Sequence, residues 1–283
     1  MLVKAHAKIN LALDVLGTRL DGYHELETVM QTLDLHDRIE LSPAPVVELV
    51  VYGADLPRGP QNLARRAADL LKERTGYHGG ALIKLHKKIP LAAGLAGGSA
   101  DAAAVLRGLN QLWNLGLTME ELSSLGAEIG SDVPFCLRGG TALARGRGEI
   151  IAGLPDLPSV GVLLVKPPFG VDTAEVYRRY DRLPGPGRPG CAKMLAAVGV
   201  GDIGGVAANL CNALEPVTLA MHSAIGQIKA EVAAAGALGV LMSGSGPTVF
   251  GVFRNAELAG LAAGKINRGD RWVRAAVFVR GTD

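Results

Sequence analysis

Apolar and polar residues alternate through the first forty positions, which favours extended chain. The alternation predicts strands over Ala7 to Leu16, Glu27 to Leu35 and Asp37 to Leu41. The first two flank Gly17-Thr-Arg-Leu-Asp-Gly22, where Asp21-Gly22 supplies turn chemistry. The period then becomes helical, with Leu63, Ala67, Leu70 and Leu71 on one stripe over Asn62 to Arg74. Gly80 to Lys88 reads as strand again. A glycine-rich stretch follows, and beyond it Val105, Leu106, Leu109, Leu112 and Trp113 mark the buried face of a helix. Ser99 stands where the N-cap of that helix belongs, Asp101 in the first turn complements its dipole, and Leu115-Gly116 ends it.

A further helix over Thr118 to Ile129 carries capping-box spacing at Thr118 and Glu121. Gly130-Ser-Asp-Val-Pro134 stops it, and the proline forces the chain around Asp132 to be extended. Gly139-Gly140 through Ile151 reads as a glycine-bent hairpin, and Val160 to Lys166 as a strand. Leu183-Pro-Gly-Pro-Gly-Arg-Pro-Gly190 suits neither helix nor sheet and is expected to be a mobile loop. Helices are expected over Cys191 to Val198 and Val217 to Ala234. Strands over Val240 to Met242 and Thr248 to Phe253 flank a Ser243-Gly-Ser-Gly-Pro247 turn. A helix over Glu257 to Lys265 precedes a closing strand, Trp272 to Val279. Runs of strands and helices without strict βα alternation predict an α+β fold, with a doubly wound parallel sheet as second choice.

With 283 residues, 48% of them apolar, the chain can bury two modest cores or one large one. Pro155-Asp-Leu-Pro158 is the best boundary, separating 1–155 from 156–283. A net charge of +2 argues against a nucleic-acid binder. Lys84, His86, Lys87 and Lys88 form the densest basic cluster and read as a solvated strand end. Cys136, Cys191 and Cys211 offer no disulfide framework, and the histidines no zinc spacing. No stretch has the length of a membrane span or the apolar core of a signal peptide. A soluble cytoplasmic protein is expected, with neither membrane nor nucleic acid as partner.

The candidate chemistry centres on the glycine-rich stretch. A loop ending in exposed helical N–H groups is an anion site, because the orphan donors and the helix dipole both favour negative charge. The glycines at 94, 97 and 98 do not fit the dinucleotide fingerprint, and Ser99-Ala100 after Gly98 does not fit the P-loop. On its own the stretch reads equally as a tight strand–helix connection.

Three separated motifs together resemble those of the GHMP kinases. Pro90-Leu-Ala-Ala-Gly-Leu-Ala-Gly-Gly-Ser-Ala-Asp101 is similar to the family's phosphate loop. Ala7-Lys-Ile-Asn-Leu11 is similar to its first motif and Ser243-Gly-Ser-Gly-Pro-Thr248 to its third. Asp21-Gly-Tyr-His-Glu25, Gly130-Ser-Asp-Val-Pro-Phe135 and Asn209-x-x-Asn212-x-Leu-Glu215 resemble the branch that acts on a cytidyl-linked sugar alcohol.

The resemblance implies an α+β, two-domain GHMP kinase fold. A ribosomal protein S5-like N-terminal domain would be followed by a ferredoxin-like C-terminal domain, with the last strand able to return to the first. It implies ATP and Mg2+ as cofactors, with no carboxylate cage in the sequence to ligate the metal. The implied acceptor is the 2-hydroxyl of 4-diphosphocytidyl-2-C-methyl-D-erythritol, in the non-mevalonate route to isoprenoids, and the implied assembly a monomer or homodimer. The alternatives are a homoserine- or mevalonate-type member of the family and a non-catalytic nucleotide-binding protein.

Site residues are implied in the same way. Pro90, Leu91, Ala92, Ala93, Gly94, Leu95, Ala96, Gly97, Gly98, Ser99 and Ala100 wrap the ATP phosphates, Ala96 and Ala100 replacing residues that are often Gly and Ser. Lys8 and Asp132 are the catalytic pair, although alone they read as a solvated lysine and a capping aspartate. An ammonium beside a carboxylate favours its ionised form. In a largely dissociative phosphoryl transfer the nucleophile needs orientation and charge balance more than early deprotonation. Tyr23 and His24 take the cytidine end, with Tyr177 as second aromatic of the clamp. Asn10, Thr173 and Thr248 contact the acceptor, and Asn62 borders the adenine.

Overall fold

Antiparallel pairing of the two apolar segments nearest the start organises the molecule. A computed structural model describes residues 1–183 and 188–281; residues 184–187, within the expected Pro/Gly loop, and the last two residues lie outside the described residues. The long pair is β1 (Leu2–Thr18) and β2 (His24–Ala44). β3 (Glu48–Tyr52), α1 (Leu63–Thr75) and β4 (Gly80–His86) follow, then three successive helices, α2 (Gly97–Leu112), α3 (Met119–Ile129) and α4 (Val133–Arg138). The hairpin β5 (Thr141–Gly146) and β6 (Ile150–Gly153) leads to β7 (Gly161–Lys166). Next come α5 (Thr173–Tyr180), α6 (Ala192–Gly199), α7 (Ile203–Ala208), a two-residue strand β8 (Cys211–Asn212), α8 (Glu215–Met221) and α9 (Ala224–Ala234). β9 (Gly239–Met242), β10 (Val249–Phe253), α10 (Ala256–Ile266) and β11 (Trp272–Val277) follow.

These strands form two sheets, which makes the fold α+β. The first has seven strands in the order β3-β4-β2-β1-β8, with β5 pairing both β2 and β6. β2 is long enough to pair with β5 along residues 26–31 and with β4 along residues 38–44. The second is a four-stranded antiparallel sheet, β11-β7-β10-β9. Its core includes Leu163, Val165 and Phe253 packed on Ile225 and Ile228 of α9 and Ala259 of α10. The sheets are tied together. β8 pairs in parallel with β1 at Ala12 and Leu13, and Phe278, just past β11, pairs with Leu33 of β2.

β1 carries the site residues, and its sequence explains how. Ala7, Ile9, Leu11, Leu13 and Val15 are buried, and so are the intervening Lys8 and Asn10. Register shifts fall between His6 and Lys8 and between Asn10 and Ala12, so irregularities bracket the two polar residues. A bulge turns a side chain away from the regular pleat, and bulges recur beside active sites for that reason.

Several sequence expectations are corrected. Glu27 to Leu35 and Asp37 to Leu41 are parts of one strand. The helix expected over Val217 to Ala234 is interrupted at His222, which leaves helical geometry (φ −142°, ψ 84°) with its ring stacked on Phe169. Ser99 is not an N-cap. Ala96 holds that position in the left-handed region, and Gly97 and Gly98 already belong to α2. Asp101 lies beyond the first turn of α2, which holds no acidic residue; it is buried and bonded to Lys87, which is accordingly not a solvated strand end. Asp132 does not lie in extended chain either. Its backbone is helical (φ −82°, ψ −10°) and α4 starts immediately after it, because a proline in the first turn of a helix gives up an N–H that has no partner anyway.

Candidate active site

A cleft of about 850 Å3 opens between the glycine loop, the middle of β1, the turn before β2, the β5–β6 turn and the start of α5. One wall is backbone. Ala92, Gly94 and Ala96 have φ of 47°, 73° and 56°, so the loop winds through the left-handed region three times. Gly94 has no substitute. A Cβ there would stand 2.3 Å from the Ser243 carbonyl oxygen, on the turn after β9. That turn also grips the loop, since Ser243 Oγ donates to the Gly94 carbonyl at 2.9 Å. From the other side the Lys8 N–H donates to the Leu95 carbonyl at 3.2 Å.

The loop delivers open donors. Ala96 has no side chain that can cap α2, and the N–H groups of Gly97, Gly98 and Ser99 carry no hydrogen bond among the described residues. All three residues line the cleft, which makes the start of α2 an anion site. Pro90 to Ser99 therefore all border the cavity. Ala100 does not: it is buried, and its N–H is spent on the Ala96 carbonyl at 2.8 Å.

The floor is a charged pair. Lys8 Nζ lies 3.3 Å from Asp132 Oδ2; the lysine side chain is 5% exposed and the aspartate 34%, so the carboxylate is the member that faces the cavity. Lys8 also donates to Asn10 Oδ1 at 2.8 Å, Asn10 Nδ2 donates to Thr28 Oγ1 at 2.8 Å, and Thr28 donates to the Ala12 carbonyl at 2.7 Å. This chain fixes the Asn10 amide orientation and aims the ammonium at Asp132. Cys136 sits on α4 behind the pair, and burial with Asp132 nearby pushes its thiol well above the usual range, so it is inert.

The far wall is aromatic. His24 stacks on Tyr177 of α5 with ring centroids 4.5 Å apart, and its Nε2 lies 2.7 Å from Asp181 Oδ1. Burial raises the Tyr177 phenol, which stays neutral. Tyr23 is exposed, held by an Asp21 turn, and the Arg147 guanidinium stands 4.9 Å from its ring centroid. Tyr23, His24 and Tyr177 all line the cleft, with His24 rather than Tyr23 in direct contact with the Tyr177 ring. Thr173 opens α5 and shares a 2.8 Å hydrogen bond with Ser245.

Two expected residues are not brought to the cleft. Thr248 is fully buried, its Oγ1 unpartnered among the described residues, because the turn before it takes Gly244 and Ser245 into the cleft instead. Asn62 caps α1 through the Ala64 N–H and holds the Pro57 carbonyl, while the next residue, Leu63, lines the cavity. Sequence reasoning missed Arg147 and Asp181. For Arg147 a signal existed: a single arginine between Gly146 and Gly148, both with positive φ, is presented by a tight turn.

Two independent family descriptions match the chain. The GHMP kinases N terminal domain matches residues 62–140, and the GHMP kinases C terminal matches residues 194–269. The chain belongs to the GHMP kinases and is an ATP-dependent small-molecule kinase with that family's two-part fold. Its relatives include the 4-diphosphocytidyl-2-C-methyl-D-erythritol kinase of Pelotomaculum thermopropionicum, 53% identical over 271 residues, 95% of this chain and 94% of that one. The enzyme of the same name from Bacillus cereus (strain AH187) is 53% identical over 254 residues, 89% of this chain and 88% of that one. A crystal structure of 4-(cytidine 5'-diphospho)-2C-methyl-D-erythritol kinase superposes with a TM-score of 0.83 at 36% identity, covering 99% of this chain and all of the other. Among the described residues no helix is long and apolar enough to cross a membrane.

Proposed function

We infer that this chain moves the γ-phosphoryl group of ATP onto the 2-hydroxyl of 4-diphosphocytidyl-2-C-methyl-D-erythritol. The observation that carries this reading is the Lys8–Asp132 pair, 3.3 Å apart, on the floor of a cleft with open N–H donors on one wall and aromatic rings on the other. Phosphoryl transfer needs little covalent help from a protein. It needs the two oxygens held in line and the developing charge balanced. Asp132 accepts the proton of the acceptor hydroxyl. Lys8, aimed by Asn10, offsets the charge of Asp132 and of the transferring group.

The N–H groups of Gly97, Gly98 and Ser99 hold the nucleotide phosphates. Mg2+ would supply charge neutralisation between the phosphate oxygens. It would be held mainly by those oxygens and water, as is usual for Mg2+ with a nucleotide. Tyr23, His24 and Tyr177 take the cytidine ring, and Thr173 lies toward the acceptor chain. The homoserine and mevalonate alternatives have no use for that aromatic wall, and the relatives at 53% identity carry the cytidyl enzyme's name.

Incubation of the full chain with ATP and, separately, the cytidyl substrate, homoserine and mevalonate tests the reading. Phosphate is expected on the first alone, and transfer to either of the others in its place overturns it.

A further inference from the structure

A buried ion cluster lies directly behind the phosphate loop. Lys87, just past β4, holds its Nζ 2.5 Å from Asp37 Oδ2 on β2 and 2.6 Å from Asp101 Oδ2 on α2, and all three side chains are 3% exposed or less. The cluster reaches the loop itself. A Cβ on Gly97 would stand 3.4 Å from that Nζ, and Lys87 also borders the cleft. The two carboxylates are served unequally. Asp37 accepts from the N–H groups of Lys88 and Ile89 as well, and so ties down the loop entry. Asp101 leaves its Oδ1 buried with no partner among the described residues.

Two ionised carboxylates on one ammonium would leave a net negative charge behind donors that serve phosphate, which opposes anion binding. A proton on one carboxyl removes the conflict, and the empty oxygen is on Asp101. Burial, with Asp37 adding to it and Lys87 opposing it, pushes the Asp101 carboxyl up to about 8. The other elements around α2 do little to offset this. α1 and α3 bury apolar residues such as Ala67, Leu71, Leu122 and Ile129, and α4 brings the neutral Cys136 thiol. β1 brings Lys8, already committed to Asn10 and Asp132.

We propose that Asp101 is a proton-linked positioning residue for the nucleotide. At pH values where the free carboxyl is ionised, docking of the polyphosphate on Gly97, Gly98 and Ser99 is coupled to uptake of up to one proton from solvent at Asp101 Oδ1. Lys87 then neutralises Asp37 alone, and the loop no longer faces net negative charge. This rests on the reading of the loop as the phosphate site. The protonated form binds the anion more tightly, so affinity is full below the carboxyl's free-enzyme pKa and falls as pH rises through it.

Calorimetric titration of the full chain with ADP, from about pH 7 to about pH 9.5 in two buffers of different ionisation enthalpy, tests this above the nucleotide's own phosphate ionisation, near 6. The wild type is expected to bind about tenfold more weakly at the upper end and to take up protons on binding. Asp101→Asn, neutral at every pH, should bind equally at both ends with no uptake. The proposal is overturned by an unchanged pH slope in Asp101→Asn, or by a wild type that binds without proton uptake at the upper end of the range. A Gly98→Asp variant keeps the two readings apart, because it sets a carboxylate against the loop donors. If it binds ADP normally, the phosphate-loop assignment fails; if it loses ADP while Asp101→Asn keeps the slope, only the proton linkage fails.

Discussion

The two walls of the cleft are built from different materials. The wall we propose for the nucleotide is backbone, shaped by left-handed turns at Ala92, Gly94 and Ala96 and gripped by Ser243 and Lys8. The wall proposed for the acceptor is side chain, with each group held by another: Lys8 by Asn10, His24 by Asp181 and Tyr177, Tyr23 by Arg147. A wall made of N–H groups keeps its chemistry when side chains change, provided the backbone path survives. A wall made of side chains loses its chemistry with a single atom. Substitutions on the two walls should therefore fail in different ways.

The largest expected effect is at Asp132. Asp132→Asn should lower kcat by roughly 10²–10⁴, the usual worth of a positioned base. Steady-state assays should show little change in KM for ATP, and near wild-type turnover in a folded variant would remove Asp132 from the chemistry. On the backbone wall, Gly94→Ala meets a carbonyl oxygen 2.3 Å from the new Cβ. It should cost at least about 2 kcal/mol of stability, seen as a lower thermal midpoint together with a raised KM for ATP. A variant that loses neither would mean the loop relaxes without cost.

Tyr177→Ala comes next. Stacking of a base on an aromatic ring is worth about 1–3 kcal/mol, so KM for the cytidyl substrate should rise about 5- to 150-fold with that for ATP unmoved. Equal loss for both substrates would show that the two walls are not independent. The smallest effect belongs to Ala96→Gly. It relieves about 1–2 kcal/mol of left-handed strain and gives back about 0.5–1 kcal/mol of chain entropy. A denaturant titration should show a gain of no more than about 1.5 kcal/mol, and nucleotide affinity should not change.

What could be read in the sequence follows the same division. Elements whose ends are set by neighbours in sequence were legible: the Thr118–Glu121 capping box does open α3, and the apolar stripe from Val105 to Leu109 is buried. So were the motif residues Lys8, Asp132, Tyr23, His24 and Tyr177, which all reach one cleft. Features that need distant partners were not. Lys87 looked solvated because Asp37 and Asp101 lie 50 and 14 residues away. Ser99 looked like a cap because nothing in sequence says that Ala96 will take φ 56° and bring two glycines into the helix. Thr248 belongs to the same turn as Ser245, and only the fold decides which of them faces the ligand.

The two-residue strand β8 and the pairing of Phe278 with Leu33 have a consequence for biosynthesis. β1 gains its outer neighbour only when residues 211–212 exist, and Gln31 finds the Val279 carbonyl, 2.9 Å away, only after 248 further residues have been made. Until then the nascent first sheet emerges from the ribosome with an open edge, the kind that attracts other strands. The middle of β1, next to Lys8 and Asn10, is therefore covered late, and the newly made first sheet depends on segments far downstream to protect its edge.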